Sequence, residues 1–436
     1  MKLKHLISCT LFTIVCYTAN TQPKIYTNLK PGDIAPDAVK IEADYIEGMI
    51  NGVCLVRKGN AAALVDIEGH FVAPWGKYEI AQGIFLSVPF TRLIPAKDTK
   101  TGRFGYISPQ GATLIPFTFS NAYDFDCHGV GMVGIGAEPF VNINTSGQRL
   151  PTVKGRTYIL SEREPYNYTQ SKLIRFPAGD NYGYADKNGK IIIPAQYQNA
   201  EEFTDGMAAV MKVDKFGVAR WGYIDQTGKL VIPYTYQIQS GQFHNGLALV
   251  CPVRRETFNY AYIDKKGTVK FTVGDGRNFS GPNLVMVDGI GKISTGGLPH
   301  EASYFVNGYA FWHYSDDDTQ LLDTLGHFHK IADILHKPEK YSKDIAGIQF
   351  DGYNDLGIFF KVNPFIKTEN KHGMMNYKGE VIFPPSFLYI RPDYYSQYAV
   401  AGMSIPNGQN QFNSTLNGVV NRQGVFVLTL TKPSNF

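Results

Sequence analysis

The chain has 436 residues, with 42 lysines and arginines against 38 aspartates and glutamates, and a formal charge of +4. This near-neutral balance argues against a nucleic-acid partner, because such proteins carry a strong basic stripe. Hydrophobic residues make up 44% of the chain, enough for a folded core, while 44 glycines and 24 prolines indicate many turns. Together with 27 tyrosines and 28 phenylalanines, this composition favours an all-β protein.

The N-terminus has the pattern of a secretory signal peptide. Lys2 and Lys4 precede an apolar run that is too short for a comfortable membrane span of about 20 residues. Small polar residues then predict cleavage near Ala19 to Thr21, so residues 1–21 are the predicted signal. A buried N-terminal strand and lipidation at Cys9 are the alternatives. We therefore predict a protein that is secreted or located in the periplasm or cell envelope, with no transmembrane span in the mature chain.

Loss of the signal would remove two lysines and no acids, and lower the formal charge from +4 to +2. Three cysteines would remain, Cys54, Cys127 and Cys251, at wide and irregular spacing. That spacing predicts neither a disulfide framework nor a metal motif. We expect these cysteines to act as small buried hydrophobic residues with at most one bridge.

One stretch, Trp221 to Pro233, shows the organisation of the chain. Its first five residues, Trp-Gly-Tyr-Ile-Asp, alternate as a half-buried strand does. Asp225 begins a four-residue turn that ends in Gly228, where a positive φ is tolerated. Leu230 to Ile232 form the return strand, and Pro233 ends the ladder or lies on its edge because it has no N–H.

The same pattern recurs along the chain and predicts tandem repeats. A polar residue, two spacers and a glycine occur nine times, with the glycines at positions 69, 111, 147, 189, 228, 267, 326, 379 and 424. The first five steps are 42, 36, 42, 39 and 39 residues, and the next three are 59, 53 and 45. We therefore expect about nine three-stranded β-meander units of roughly 40 residues, with insertions in the C-terminal half.

A second signature supports this register. Phe125, Phe203, Phe243 and Phe305 each precede a polar-Gly turn and an apolar strand. The clearest copy is Phe243-His244-Asn245-Gly246-Leu247-Ala248-Leu249-Val250. Each copy therefore predicts a turn followed by a further strand of a repeat.

These residues resemble the WG-repeat family of bacterial proteins. Trp-Gly-Tyr-Ile-Asp, two spacers, Gly-Lys, apolar residues and Ile-Pro match its pattern, most sharply over 182–250. Among the nine units only Trp221 keeps the tryptophan of the motif; Phe104, Tyr182, Tyr260 or His372 stands there elsewhere. The resemblance implies an all-β tandem array, often on secreted or envelope proteins, and implies no reaction.

Three patterns suggest chemistry, and each has a simpler interpretation. Residues 129–134 match the dinucleotide fingerprint, but a strand is predicted where that site needs a helix. The repeated turn aspartates suggest calcium, yet one aspartate in roughly 40 residues is typical of turn capping. A third cluster, His313 with Asp316, Asp317 and Asp318 and with His327 and His329 beyond, has no zinc-motif spacing and is interpreted as a solvated loop.

Aromatic residues between strands are the best functional hint. Tyr166, Tyr168, Tyr394, Tyr395 and Tyr398 suit sugar stacking or protein contacts, although packing between neighbouring units is the more common use of such residues. We predict no catalytic, cofactor-binding or metal residues, and a partner that is a protein or a cell-surface polysaccharide.

The predicted architecture is an open, solenoid-like array, because the uneven steps favour it over a closed propeller-like ring. The predicted parts are the signal at 1–21, a capping segment at 22–60, regular repeats at 61–267, divergent repeats with insertions at 268–371, and C-terminal repeats at 372–436. The predicted function is a non-catalytic binding or scaffold surface of the cell envelope for protein partners. The alternatives are glycan binding by exposed aromatics, and an enzyme with its site in the 268–369 insertions.

Overall fold

The structure is a computed structural model of the chain. It describes residues 24–81, 92–125, 129–136, 138–149, 172–186, 190–236, 241–250, 260–273, 287–288, 291–292, 305–315, 318–343, 345, 348–354, 356–362, 371–393, 395–405, 414–431 and 434–435. Within these residues nine small sheets of three or more strands follow one another in chain order, and we number them blades 1 to 9; consecutive strands within each blade are antiparallel.

The first five blades are formed as follows. Blade 1 contains β2 (Tyr45–Ile50), β3 (Val53–Lys58), β4 (Ala61–Asp66) and β5 (Phe71–Ala73). Blade 2 contains β6 (Tyr78–Glu79), β7 (Ile94–Asp98), β8 (Phe104–Ile107) and β9 (Thr113–Phe119). Blade 3 contains β10 (Asn121–Phe125), β11 (Val130–Ile135) and β12 (Glu138–Asn144). Blade 4 contains β13 (Leu173–Ala178), β14 (Asn181–Asp186) and β15 (Ile191–Tyr197), and blade 5 contains β16 (Asn199–Ala200), β17 (Met207–Val213), β18 (Ala219–Asp225) and β19 (Leu230–Tyr236).

The last four blades follow the same plan. Blade 6 contains β20 (Leu247–Val250), β21 (Tyr260–Asp264) and β22 (Val269–Val273), and a two-stranded ribbon follows, β23 (Val287–Asp288) with β24 (Gly291–Lys292). Blade 7 contains β25 (Tyr309–Ser315), β26 (Asp318–Asp323) and β27 (Phe328–His329), followed by helix α1 (Ile331–Ile334) and a 3₁₀ turn, Pro338–Lys340. Blade 8 contains β28 (Gln349–Asn354), β29 (Gly357–Val362), β30 (Lys371–Met375) and β31 (Val381–Phe387). Blade 9 contains β32 (Tyr389–Pro392), β33 (Tyr398–Ile405), β34 (Ser414–Asn421) and β35 (Phe426–Leu430), with β36 (Ser434–Asn435) paired to β34.

The predicted all-β class is confirmed, but the predicted open array is wrong: the fold is a closed nine-bladed β-propeller. The N-terminal strand β1 (Ile34–Ile41) pairs in parallel with β35 of blade 9. One buried cluster contains Ile46, Val56 and Val65 of blade 1 together with Val400 and Val419 of blade 9. The first and last blades are therefore packed against each other, which an open array would not allow.

The cores lie between blades. Eight buried clusters each combine residues of two adjacent blades, and together they join blades 1 to 3, blades 4 to 9, and blade 9 to blade 1. A small sheet cannot bury both of its faces alone, so each blade needs its neighbours for stability. The stabilising unit of the ring is thus the contact between successive blades.

A recurring tyrosine–phenylalanine contact is the most regular part of these cores. The tyrosine of the Trp-Gly-Tyr position is fully buried and its ring lies 4.6–5.1 Å from the phenylalanine that opens the next blade, in the pairs Tyr106–Phe125, Tyr184–Phe203, Tyr223–Phe243 and Tyr262–Phe305. In the first three pairs the tyrosine hydroxyl also donates to a backbone carbonyl of the next blade, at 2.6–2.7 Å. The tyrosine of the Trp-Gly-Tyr motif and the phenylalanine before the polar-Gly turn, which define the two sequence signatures, therefore contact each other between successive blades.

The nine polar-to-glycine turns close in the same way. In every one, the N–H of the first residue donates to the carbonyl of the residue four positions on, starting from Asp66, Ser108, Asn144, Asp186, Asp225, Asp264, Asp323, Asn376 and Asn421. We call these the nine repeat turns. Where the glycine is described, its φ is between 77° and 91°, which side chains with a Cβ rarely adopt.

Each repeat turn whose glycine is described also docks on the preceding part of the ring. A Cβ on Gly228 would lie 3.3 Å from Ile193 of β15, and one on Gly267 would lie 3.4 Å from Ile232 of β19. A Cβ on Gly69 of blade 1 would lie 2.7 Å from Val39 of β1. The turn of blade 1 thus docks on the last blade in the way that other turns dock on their neighbours, and this contact closes the ring.

Candidate binding surfaces

Strand direction sorts the loops of the ring onto two faces. Because neighbouring strands in a blade are antiparallel, the repeat turns lie at one end of the blades, and in the four-stranded blades the hairpins between first and second strands lie at the same end. We call this the turn face. The hairpin that precedes the strand leading into each repeat turn lies at the other end, which we call the hairpin face.

The hairpin face carries the most exposed aromatic side chain of the described residues. Phe216 is 78% exposed at the tip of the hairpin between β17 and β18, and Val213 beside it is 42% exposed. The tip is ordered by its own bonds, since the Asp214 carboxylate accepts from the N–H groups of Phe216 and Val218 at 2.8 and 3.0 Å. These bonds lower the pKa of Asp214. A preordered tip loses little conformational freedom when it binds.

Basic side chains accompany this tip. The Lys215 ammonium lies 5.0 Å from the centre of the Phe216 ring, and the Arg220 guanidinium is 3.7 Å from the Asp214 carboxylate. An exposed aromatic ring with flanking cations has the composition of an interface anchor. The aromatic residues predicted from the sequence do not include Phe216, although a phenylalanine inside the Asp-x-x-Gly turn of residues 214–217 is an unusual pattern that could have identified it.

On the turn face, Asp66, Glu68 and His70 form a group of potential metal ligands, with ligand atoms within 4.8 Å of one another. His70 Nδ1 is 3.0 Å from the Asp66 carboxylate. The same first-to-fifth contact of a repeat turn occurs without histidine, between Asn144 and Gln148 at 3.0 Å. The arrangement therefore has a sufficient explanation as side-chain pairing within the turn.

The repeat turn of blade 7 has a related arrangement at Asp323. Its carboxylate contacts His329 Nε2 at 2.9 Å and His327 Nδ1 at 3.3 Å. Partial burial opposes ionisation, but hydrogen bonds from His329 and from the His327 and Leu325 N–H groups outweigh it and lower the pKa of Asp323 to about 2. Of the predicted His/Asp cluster, His327 and His329 thus meet at a turn aspartate. His313 and Asp318 lie on the paired strands β25 and β26, and Asp316 and Asp317 lie outside the described residues.

The strongest acid–base pair near the predicted insertions is His372 with Asp351. His372 Nδ1 is 2.5 Å from the Asp351 carboxylate, and Lys361 Nζ is 3.9 Å from it. Lys361 and His372 are directly paired across β29 and β30. Asp351, Lys361 and His372 lie on β28, β29 and β30 of one sheet, and side-chain contacts across strands stabilise a sheet, so the geometry is accounted for without a reaction.

The aromatic residues predicted to bind partners have different positions. Tyr398 is buried in the cluster between blades 9 and 1. Tyr395 is exposed on the turn face, but the Arg92 guanidinium covers its ring at 4.2 Å from the centre. Tyr166, Tyr168 and Tyr394 lie outside the described residues. Sugar stacking at Tyr395 would have to use the other face of the ring or displace Arg92.

The glycine fingerprint at 129–134 lies in a strand and not before a helix. Gly129 has a φ of 74° at the turn, and β11 and β12 follow it. A Cβ on Gly131 would lie 2.8 Å from the Phe125 ring, and one on Gly134 would lie 2.5 Å from Ser120 Oγ. These glycines are therefore required by close packing of β10 on β11.

Two buried groups have displaced pKa values. Burial raises the pKa of the Cys54 thiol, which is a free and fully buried thiol. Cys127 and Cys251 lie outside the described residues. Burial lowers the pKa of His244, which is 3% exposed, to about 3. Cys54 lies in the apolar cluster between blades 1 and 9, and His244 lies in the turn that follows the buried Phe243.

Within the described part of the chain, no helix has the length and apolar character needed to cross a membrane.

Comparison with solved structures gave matches of low identity. A eukaryotic initiation factor is 11% identical, with a TM-score of 0.45, over 88% of this chain and 95% of that one. Dipeptidyl peptidase 4 of Porphyromonas gingivalis is 10% identical, with a TM-score of 0.38, over 92% of this chain and 62% of that one. An uncharacterized protein of Listeria monocytogenes is 11% identical, with a TM-score of 0.28, over 91% and 98%.

A comparison with curated proteins found no match. The family described as WG containing repeat matches residues 104–136, 182–216 and 221–251. Each match begins in the strand that leads into the repeat turn of one blade and ends just after the strand that precedes the equivalent strand of the next blade, so the sequence repeat is offset from the blade. At these three places the chain is built from WG containing repeats.

Proposed function

We propose that the protein is a non-catalytic scaffold that binds protein partners through the hairpin face, outside the cytoplasm. A repeat-built β-propeller commonly serves as a protein-binding scaffold. The observation that carries the proposal is Phe216, an aromatic side chain 78% exposed on an ordered tip beside Lys215 and Arg220. Exposed aromatic anchors with cationic neighbours are typical centres of protein interfaces. The location rests on the predicted signal at residues 1–21.

The test is a crosslinked pull-down of the mature chain from the envelope of its own cells, quantified by mass spectrometry. The variant Phe216→Ser should lower capture of the dominant protein partner by about 30-fold, which corresponds to about 2 kcal/mol for an anchor residue. The matched control is Leu325→Ser, because Leu325 is 74% exposed in a repeat turn on the turn face. Neither substitution removes a buried contact, so both variants should fold as the wild type does.

Three results would contradict the proposal. Equal capture by wild type and Phe216→Ser would show that the hairpin face is not the binding surface. Selective loss with Leu325→Ser would place binding on the turn face. Recovery of a polysaccharide instead of a protein, with loss of binding in Tyr395→Ala, would support the glycan alternative. Fractionation of the cells, with sequencing of the mature N-terminus, tests export and the predicted cleavage.

A further inference from the structure

The last strand of each blade forms the outer edge of its sheet, and most blades protect this edge with proline. A proline stands eight positions after the first residue of the repeat turn in blades 1, 2, 4, 5 and 8, at Pro74, Pro116, Pro194, Pro233 and Pro384. Proline has no N–H to offer an incoming strand and is a common device against edge-to-edge pairing.

Proline also coincides with a break in strand pairing. In blade 5, Tyr223 pairs with Ile232, but the next pair is Trp221 with Tyr236, so the last strand gains two residues at Pro233. Blades 2, 4 and 8 show the same shift at their prolines. Such a bulge distorts the edge of the sheet and makes it less able to pair with an incoming strand.

Blades 6 and 9 differ from these five in the same way. At the proline position they have Thr272 and Thr429. Their last strands also stay in register through this point, with Ala261 paired to Thr272 in blade 6 and Gly418 paired to Thr429 in blade 9. Over Phe271–Val273 and Leu428–Thr429, both edges therefore pair without a register shift and have no proline; the shift in each strand lies just before, at Lys270 and Val427.

The chain itself shows what such an edge accepts. In blade 9, β1 adds to β35 as a parallel strand, and Val39, Lys40 and Ile41 pair with Leu428, Thr429 and Leu430. The equivalent residues of blade 6 are 271–273 in β22. Among the described residues, β22 pairs with β21 alone, so its outer edge has no strand of this kind.

The charge near β22 indicates which segment would fit. Lys270 is exposed on the strand and Lys266 is exposed in the repeat turn before it. In blade 9, the position of Lys270 is taken by the apolar Val427. An acidic segment would match the edge of blade 6, as the apolar β1 matches the edge of blade 9.

We propose that the outer edge of β22 binds an extended acidic segment of a partner protein, which adds to blade 6 as a parallel strand. The proposal rests on the proposed scaffold function and assigns it a second contact site. A Cβ on Gly326 would lie 2.9 Å from the Phe271 ring, whereas Gly69 meets Val39 of the added strand. In blade 6, Phe271 of β22 itself contacts the glycine of the next repeat turn, whereas in blade 9 Val39 of the added strand β1 makes this contact. The residue of the incoming segment that pairs with Phe271 is therefore expected to be small.

The probe is a fluorescent peptide with the β1 sequence, residues 34–41, carrying Val39→Ala and Lys40→Glu. With the full mature chain, fluorescence anisotropy should show saturable binding below about 100 µM. Hydrogen exchange should show new protection of the amides at 269–273. The variant Lys266→Glu with Lys270→Glu should weaken binding at least tenfold, while Lys229→Glu with Lys378→Glu, the same charge change on turns of blades 5 and 8, should leave it unchanged.

A second variant tests the backbone edge. Thr272→Pro introduces the residue that five other blades carry, and it should abolish peptide binding. The proposal would be overturned by any of three results: no saturable binding of the peptide, equal weakening of its binding by the two charge variants, or new hydrogen-exchange protection in β35 in place of β22. Phe216→Ser separates the two proposals, because it should lower partner capture and leave peptide binding unchanged. Unchanged partner capture with normal peptide binding would contradict the hairpin-face proposal alone. Lowered partner capture with no peptide binding by the wild type would contradict the edge proposal alone.

Discussion

At the scale of single residues, the repeated turn acids are structural. The Asp225 carboxylate accepts hydrogen bonds from the Thr227 hydroxyl at 2.6 Å and from the N–H groups of Thr227 and Lys229 at 2.9 and 3.1 Å, and these bonds lower its pKa. Asn144 makes the same two backbone bonds without a charge. What the turn requires is a short side chain with an oxygen, which explains why aspartate, asparagine and serine alternate there.

His244 gives the clearest prediction for pH dependence. Burial lowers its pKa in the folded state to about 3, against about 6.5 in the unfolded chain. Below pH 6.5 the unfolded state binds the proton more readily, so the stability conferred by the neutral ring is present above pH 6.5 and is lost as the pH falls toward 3. The free energy of unfolding should fall by up to about 1.4 kcal/mol per pH unit through this window.

Denaturant unfolding at pH 7 and pH 5 measures this slope. Val306 occupies the position of His244 in blade 7, so His244→Val should fold and should lack this part of the pH dependence. Thr204 occupies the position of His244 in blade 5 and has no titratable group, so Thr204→Val provides the matched control and should keep the wild-type slope. Equal slopes for the wild type and His244→Val would show that this imidazole is not buried in its neutral form.

At the scale of elements, the sequence predicted strands and turns well where the repeats are sharp. The predicted strand, turn and strand around Asp225 are β18, a repeat turn and β19. The bulge at Pro233 was not predictable, because period-two alternation does not count the residues that pair across a ladder. It accounts for the glycine of the Trp-Gly motif: a Cβ on Gly222 would lie 2.6 Å from the Ile232 carbonyl oxygen.

Gly222→Ala should therefore destabilise the protein by more than about 2 kcal/mol, since the clash is with backbone and cannot be relieved by a rotamer change. Blade 6 supplies the control, because Ala261 stands at the same position where the register is continuous. Ala261→Gly should cost only about 0.5–1 kcal/mol, through backbone entropy. Thermal and urea unfolding compare the two, and a smaller effect for Gly222→Ala than for Ala261→Gly would contradict this role of the bulge.

At the scale of the whole molecule, ring closure was beyond the reach of sequence patterns. It depends on contacts between distant residues, such as the Gly32 N–H donating to the Gly424 carbonyl at 2.8 Å. The uneven repeat steps suggested an open array, but the extra residues can be accommodated without opening the ring. After blade 7 they form α1, and a Cβ on Gly379 of blade 8 would lie 1.9 Å from the Ile334 carbonyl oxygen of that helix. The number of residues between successive turn glycines thus depends on insertions in the loops and does not indicate whether the array is open or closed.

Because β1 closes the ring between blades 9 and 1, a destabilising substitution in β1 should weaken the structure of both blades. Val39→Asp would place a carboxylate in the apolar cluster that blades 1 and 9 share, at a cost of about 3 kcal/mol. In a closed ring, hydrogen exchange should then speed up in both β3 and β34, because each blade loses a neighbour. Lys40→Asp introduces the same side chain at the adjacent exposed position and should leave both rates unchanged. Faster exchange in blade 1 alone would be the behaviour of an end repeat in an open array and would contradict the ring.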